Sequence, residues 1–267
     1  MLTLLIALAC GFACGYGAKI EGWGWGWRIG CGVAGFLIAQ LAVGLFLRGA
    51  IRRRQERIQR ILQEGQQKIN KQINLFQIRP PSGMKAAQQI LEKLQNDAAR
   101  KALEATDAFK PLYIWNLMLK RQINTMRAQL YYQLKDFKKV DECLETALII
   151  DPQSVAIRMA RMYRNEDPRL DKFFASKFRR ARGEAAAFVA SVYAWIKLKQ
   201  DDEQAARAAL TAAKNKSDHP VLLENHEKLV NGKAKQFSNA GFGDMWYALF
   251  LEEPKMKPQR QRQGRPF

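Results

Sequence analysis

Two uncharged runs near the beginning of the chain restrict what it can fold into more than any other feature. Residues 1–18, MLTLLIALACGFACGYGA, and residues 29–47, IGCGVAGFLIAQLAVGLFL, contain no Asp, Glu, Lys or Arg. Gln40 is the most polar side chain of the second run. A helix that crosses a bilayer needs roughly 17–25 such residues. The second run satisfies this directly, and the first does so when its helix extends toward Lys19. Residues 19–28 between them allow a tight hairpin and no domain. A cleaved secretory signal is the rival for the first run, but it calls for a basic start and a small-x-small cleavage site. The run opens without Lys or Arg, and its one small-x-small stretch, ALAC at 7–10, comes very early, so the expectation is a retained two-helix hairpin.

Basic residues orient that hairpin. Arg48, Arg52, Arg53, Arg54, Arg57 and Arg60 follow the second run, whereas the connection carries Lys19 and Arg28 against Glu21. Positive residues stay on the cytoplasmic side. The sequence therefore predicts a two-span inner-membrane protein with both termini in the cytoplasm. The connection itself reads EGWGWGWRIG, with Trp23, Trp25 and Trp27 alternating with glycine. Indoles favour the membrane–water interface, where the ring sits in apolar surroundings and the N–H still reaches water. These three are read as an interfacial anchor at the hairpin tip, with an aromatic ligand site as the alternative. Over the whole chain 44 Lys and Arg face 25 Asp and Glu, a net charge of +19. Such an excess calls for an anionic neighbour, either lipid headgroups or nucleic acid. Arg52, Arg53 and Arg54 are the candidates for contact with lipid.

Small residues recur at intervals of four within the spans: Ala7, Gly11 and Gly15 in the first, Cys31, Gly35 and Ala39 in the second. Each set lies on one helix face, where backbones can approach closely in lipid. The two faces are expected to pack against each other; dimerisation of two copies through GFACG is the alternative use. The four cysteines, Cys10, Cys14, Cys31 and Cys143, form neither a disulfide framework nor a metal signature.

After the spans, Ile51, Ile58, Leu62, Ile69, Ile73 and Phe76 trace a helical stripe interrupted by Gly65. A basic helix over 48–79, continuing out of the second run, is expected, ending at RPPSG because a proline pair cannot continue it. From residue 80 to 253 helical runs alternate with short breaks: 85–109, 112–134, 137–150, 154–165, 169–182, 184–199, 203–216, 220–230 and a final 245–253. Nothing in this stretch has the pattern of a strand. The fold class predicted is all-α, a transmembrane hairpin followed by a helical domain. The remainder, 254–267, holds five basic residues and no acid, a composition unable to bury a core.

Helix pairs joined by short turns invite a search for repeats. From Asn124 to Pro152 the chain resembles a tetratricopeptide repeat. Ala128 stands at the small position of the first helix, Tyr131 at the aromatic one, Leu144 and Ala147 at second-helix packing positions, and Pro152 at the end of the unit. Val140 and Asn124 depart from the alanine and tryptophan the family prefers. A second unit starts near Ala190, with Ala194, Ala206, Leu210 and Ala213 in matching places. The segment between, 153–187, has the length of a unit but is broken by Pro168. The layout is similar to that of membrane-anchored tetratricopeptide-repeat proteins, including a two-span kind associated with haem biosynthesis, a likeness of layout and not of a shared motif. It implies a concave surface that binds a protein partner.

Catalytic signatures are missing from the sequence. The two histidines, His219 and His226, have only leucines between them on a shared helix face, and they are expected to be solvated. No Walker loop, GxSxG or HExxH is found. No catalytic residue, cofactor or metal is predicted. The functional expectation is a non-enzymatic membrane scaffold that recruits a protein partner; a tether for RNA or ribosomes through the basic stalk and tail is the alternative.

Overall fold

The computed structural model describes residues 2–253, and among these every regular element is helical. The basic tail expected at 254–267 lies outside the described residues. Contacts divide the chain into two compact units, Met1–Leu148 and Ile149–Phe267, rather than at the proline turn near residue 80.

The first unit holds α1 (Leu2–Ile20), α2 (Trp25–Ile78), α3 (Met84–Thr106), α4 (Leu117–Gln133) and α5 (Phe137–Thr146). The second apolar run and the basic stalk form one helix of 54 residues, as the sequence suggests, about 80 Å long at 1.5 Å per residue. It stops where the sequence predicts: Arg79 turns extended (φ −130°, ψ 90°) ahead of Pro80, whose ring disfavours helix at the preceding residue. The chain reverses and α3 packs back along α2. Gly65 does not interrupt the helix. It is buried, and a Cβ there would come within 2.5 Å of Ala98 Cβ, so its missing side chain is what lets α3 approach. That contact rotates the stripe: Ile61 packs on the core while Leu62 and Ile73 are exposed. Leu47, Ala50 and Ile58 of α2, Ala102 and Leu103 of α3, and Leu119 and Ile123 of α4 share one core.

Two expected helices are shorter than the sequence pattern. Residues 107–112 form a 3-10 turn that contains Pro111. The helix expected from 112 begins only at Leu117, because Asn116 caps it, its side chain accepting from the backbone N–H of Met118 (2.9 Å) and of Leu119 (3.3 Å). Likewise α5 ends at Thr146, and Ala147 is extended (φ −66°, ψ 154°). The hydroxyl of Thr125 both accepts from Leu148 N–H (3.0 Å) and donates to Leu148 C=O (2.9 Å). Such side-chain bonding offers the backbone an alternative to another helical turn.

The second unit contains α6 (Pro152–Arg164), α7 (Leu170–Phe178), α8 (Gly183–Lys199), α9 (Glu203–Lys214), α10 (Pro220–Val230) and the four-residue α11 (Asp244–Tyr247). α8 is its axis: Ala186 through Lys197 are all buried, with α6, α7, α9 and α10 packed around it. The helix expected over 245–253 stops at α11, and Phe250 takes a left-handed conformation (φ 50°). Polar clasps hold this irregular end. Glu252 accepts from the indole N–H of Trp195 (2.7 Å) and of the fully buried Trp246 (3.0 Å). Asn239 donates to Ser191 C=O (2.9 Å) and accepts from Asn225 (3.1 Å).

Three helix pairs turn in the same way. Lys135, Glu166 and Asp201 each adopt left-handed φ, 60°, 51° and 59°. Each is followed by an aspartate whose N–H bonds a carbonyl five residues back: Asp136 to Tyr131, Asp167 to Met162, Asp202 to Lys197. This is the helix-ending Schellman pattern. The aspartate side chain then accepts from an N–H of the chain that follows: Lys139, Arg169 and Ala205 respectively.

Candidate membrane hairpin and basic collar

α1 and the first part of α2 pack through glycine. A Cβ on Gly11 would stand 2.9 Å from Gly32 O, one on Gly15 3.3 Å from Arg28 O, and one on Gly35 2.6 Å from Cys14 Sγ. Backbone therefore meets backbone along this seam, the arrangement small residues permit between helices in an apolar medium. On the first helix Ala7 and Gly11 are buried and Gly15 is half-buried. On the second helix the seam runs through Gly32 and Gly35, while Cys31 and Ala39 lie half-buried beside it. Gly32 was missed because a strict four-residue spacing from Cys31 skips it. Since α2 occupies the face of Gly11 and Gly15, the GFACG motif serves packing within the hairpin.

The outer faces of both helices are apolar and uncovered. Phe12, Ile20, Ile38, Leu41 and Phe46 are each about two-thirds or more exposed. Two helices are thus long and apolar enough to cross a membrane, with stretches of mean hydropathy 1.6 and 2.1. Residues 27–47 of α2 rise about 30 Å, the thickness of a hydrocarbon core.

The tryptophans sit at the tip. Trp23 lies in the turn and Trp25 and Trp27 in the first turn of α2. Trp23 and Trp27 meet edge to face, centroids 6.0 Å apart, and Arg28 donates to Trp23 C=O at 2.6 Å. All three indoles are exposed, Trp25 by 76%. At the other end of the apolar stretch the arginines take distinct roles. Arg52 pairs with Glu56 at 2.8 Å. Arg53 donates to Gly49 C=O at 3.3 Å, and Arg54 reaches across to Ala108 C=O at 2.8 Å.

Among the residues predicted to pack the repeats, Ala128, Leu144, Ala147, Ala194, Ala206, Leu210 and Ala213 are buried, and Tyr131 and Pro152 are half-buried. Ala147 does so from beyond the end of α5, not within it. Asn124, placed where the family prefers tryptophan, donates to Thr146 Oγ1 at 2.7 Å and ties the middle of α4 to the end of α5.

The histidines are half-buried and bond to other groups of the fold, not to each other. His219 caps α10, its Nδ1 accepting from Val221 N–H at 3.3 Å, with its ring stacked on Phe242. His226 lies 3.1 Å from Thr211 Oγ1. Burial, then the nearby Lys214 and Arg207, holds its pKa below the usual imidazole value. Burial also pushes the Cys143 thiol up, away from a reactive thiolate. No group of three or more His, Cys, Asp and Glu side chains that could hold a metal occurs among the described residues. No protein-family model, no curated protein and no solved structure matches this chain.

Proposed function

We propose that this protein is a non-enzymatic inner-membrane scaffold. Its hairpin anchors the chain, both termini are cytoplasmic, and a tetratricopeptide-like helical domain offers a surface to a protein partner. The observation that carries this reading is the continuity of α2. One helix presents bare apolar side chains over its first part, then an arginine collar, and buries Leu47 in the core of the helical unit. The domain thus starts where the span ends, without a flexible linker. Charge asymmetry across the hairpin supports the orientation. The repeat assignment is supported by the shared turn after α4, α6 and α8, whose left-handed residues recur at intervals close to the ~34 residues of a tetratricopeptide unit.

Carbonate washing of native membranes should leave the protein in the pellet, and protease added outside unbroken cells should spare residues beyond 48. Release by carbonate or external digestion of the helical units overturns the anchor. Crosslinking of the full-length protein in its membrane should capture a protein whose retention changes little with salt. Capture of RNA that falls steeply between low and moderate ionic strength would assign the basic surface to nucleic acid instead.

A further inference from the structure

We infer that the first unit carries a dedicated site for the phosphate of an anionic glycerophospholipid, in the cleft where α2 leaves its apolar stretch. This rests on the membrane reading above. Phe46, Ala50, Arg53, Arg54 and Arg57 fall on one face of α2 and form one wall of an open cleft of about 530 Å³. Ala105, Ala108 and Leu112, at the end of α3 and in the turn after it, form the other. The volume exists because the two walls face each other through alanines, and it lies within the range of small-ligand sites.

Its chemistry is divided along the helix axis. Phe46 is 70% exposed and belongs to the apolar run, so the upper end of the cleft opens onto the surface that would meet acyl chains. The three arginines follow within about 16 Å of helix rise. Helical side chains lean toward the N-terminus of their helix, which here means back toward the span and the depth of lipid phosphates. Arg54 is fixed in place by Ala108 C=O at 2.8 Å across the cleft and by Ala50 C=O at 3.1 Å on its own helix. No carboxylate among the described residues pairs with Arg53, Arg54 or Arg57, and Glu56, the nearest acid in sequence, is held by Arg52. No acid lines the cleft either. Three guanidinium groups whose charge no carboxylate neutralises, with no acid to receive a choline or ethanolamine, select a net negative headgroup. Guanidinium forks match phosphate oxygens in geometry as well as charge.

The test compares charge-matched variants of the full-length protein, purified in a neutral detergent. Phosphatidylglycerol, phosphatidylcholine and inorganic phosphate serve as separate probes, with bound lipid counted by native mass spectrometry. Arg53→Gln with Arg57→Gln should weaken phosphatidylglycerol binding by about tenfold or more. Arg48→Gln with Arg60→Gln, equal in charge but outside the cleft, should change it less than about twofold. Ala108→Leu, which fills the cleft and leaves the charge alone, should reduce it as the first pair does. Equal loss in both arginine pairs would show diffuse attraction only and overturn the site. So would equal binding of phosphatidylcholine, or inorganic phosphate bound as tightly as the lipid. Should Ala108→Leu fail to fold, the two pairs of exposed arginines still decide. Carbonate extraction is the separate readout: release of the unsubstituted protein overturns the membrane anchor, whereas retention of every variant with unchanged lipid binding overturns the cleft alone.

Discussion

α8 and the first half of α2 are both apolar on every face, yet they meet opposite surroundings. Twelve consecutive residues of α8, Ala186 to Lys197, are buried by neighbouring helices. The most apolar window of α2 has none of its residues buried. A helix without a polar face needs an apolar environment all round, and only for α8 does the rest of the chain supply it. α8 has 17 residues and carries Lys197 in its last turn, whose ammonium group is taken up by Asp171 at 2.7 Å. It is held by protein. The apolar run of α2 is longer and uncharged, and it is covered only along its glycine seam and at its Val43–Leu47 end. Hydrophobicity states the need, and length with neighbouring helices decides what answers it.

The sharpest way to break this comparison is to place the same charge in both helices. Ala190→Asp sets a carboxylate where nothing pairs it, and should cost the second unit about 3–5 kcal/mol in a urea titration. Leu37→Asp, at an exposed site of α2, should leave that titration unchanged and instead reduce membrane insertion, by roughly 2.5–3.5 kcal/mol for a charge at a span centre. Loss of folding with Leu37→Asp, or its retention with Ala190→Asp, would erase the distinction.

Overpacking of the glycine seam comes next. Gly35→Leu collides with Cys14 and should weaken hairpin pairing by about 1–3 kcal/mol. Gly44→Leu, with nothing within 4 Å of its Cβ position, serves as the neutral control in a denaturing-detergent titration. In the second unit, Glu252→Leu leaves the indole N–H groups of Trp195 and Trp246 without their acceptor, and should lower stability by about 1–3 kcal/mol, read by tryptophan fluorescence.

The smallest effect is a pH dependence. The folded pKa of His226 lies below its ordinary 6.5, so the unfolded chain takes up the proton first as pH falls. Its contribution is fully present above about pH 6.5 and declines below it, until the folded imidazole also protonates. Urea midpoints measured from pH 5 to 8 should rise with pH in the native protein, and His226→Gln should flatten that part of the rise.

Much of the architecture was legible because it depends on local chemistry. The proline pair at 80–81 ends α2, aspartates at 136, 151 and 202 cap the helices that follow them, and the small residues of α1 mark its packing face. Other features were hidden because they depend on residues far apart in sequence. Gly65 reads as a defect until Ala98 is found against it. Asn116, not the apolar periodicity around it, sets the start of α4. The cleft needs Ala108 folded back beside Ala50, a proximity no periodicity encodes.

The order of residues alone thus determined the helical class, the two apolar spans and the arginine collar, since uncharged length and charge asymmetry act through solvent and need no partner within the fold. Tertiary structure decided which glycines touch, and that three arginines share a cleft without acids. Those depend on where α3 and the turn after it pack.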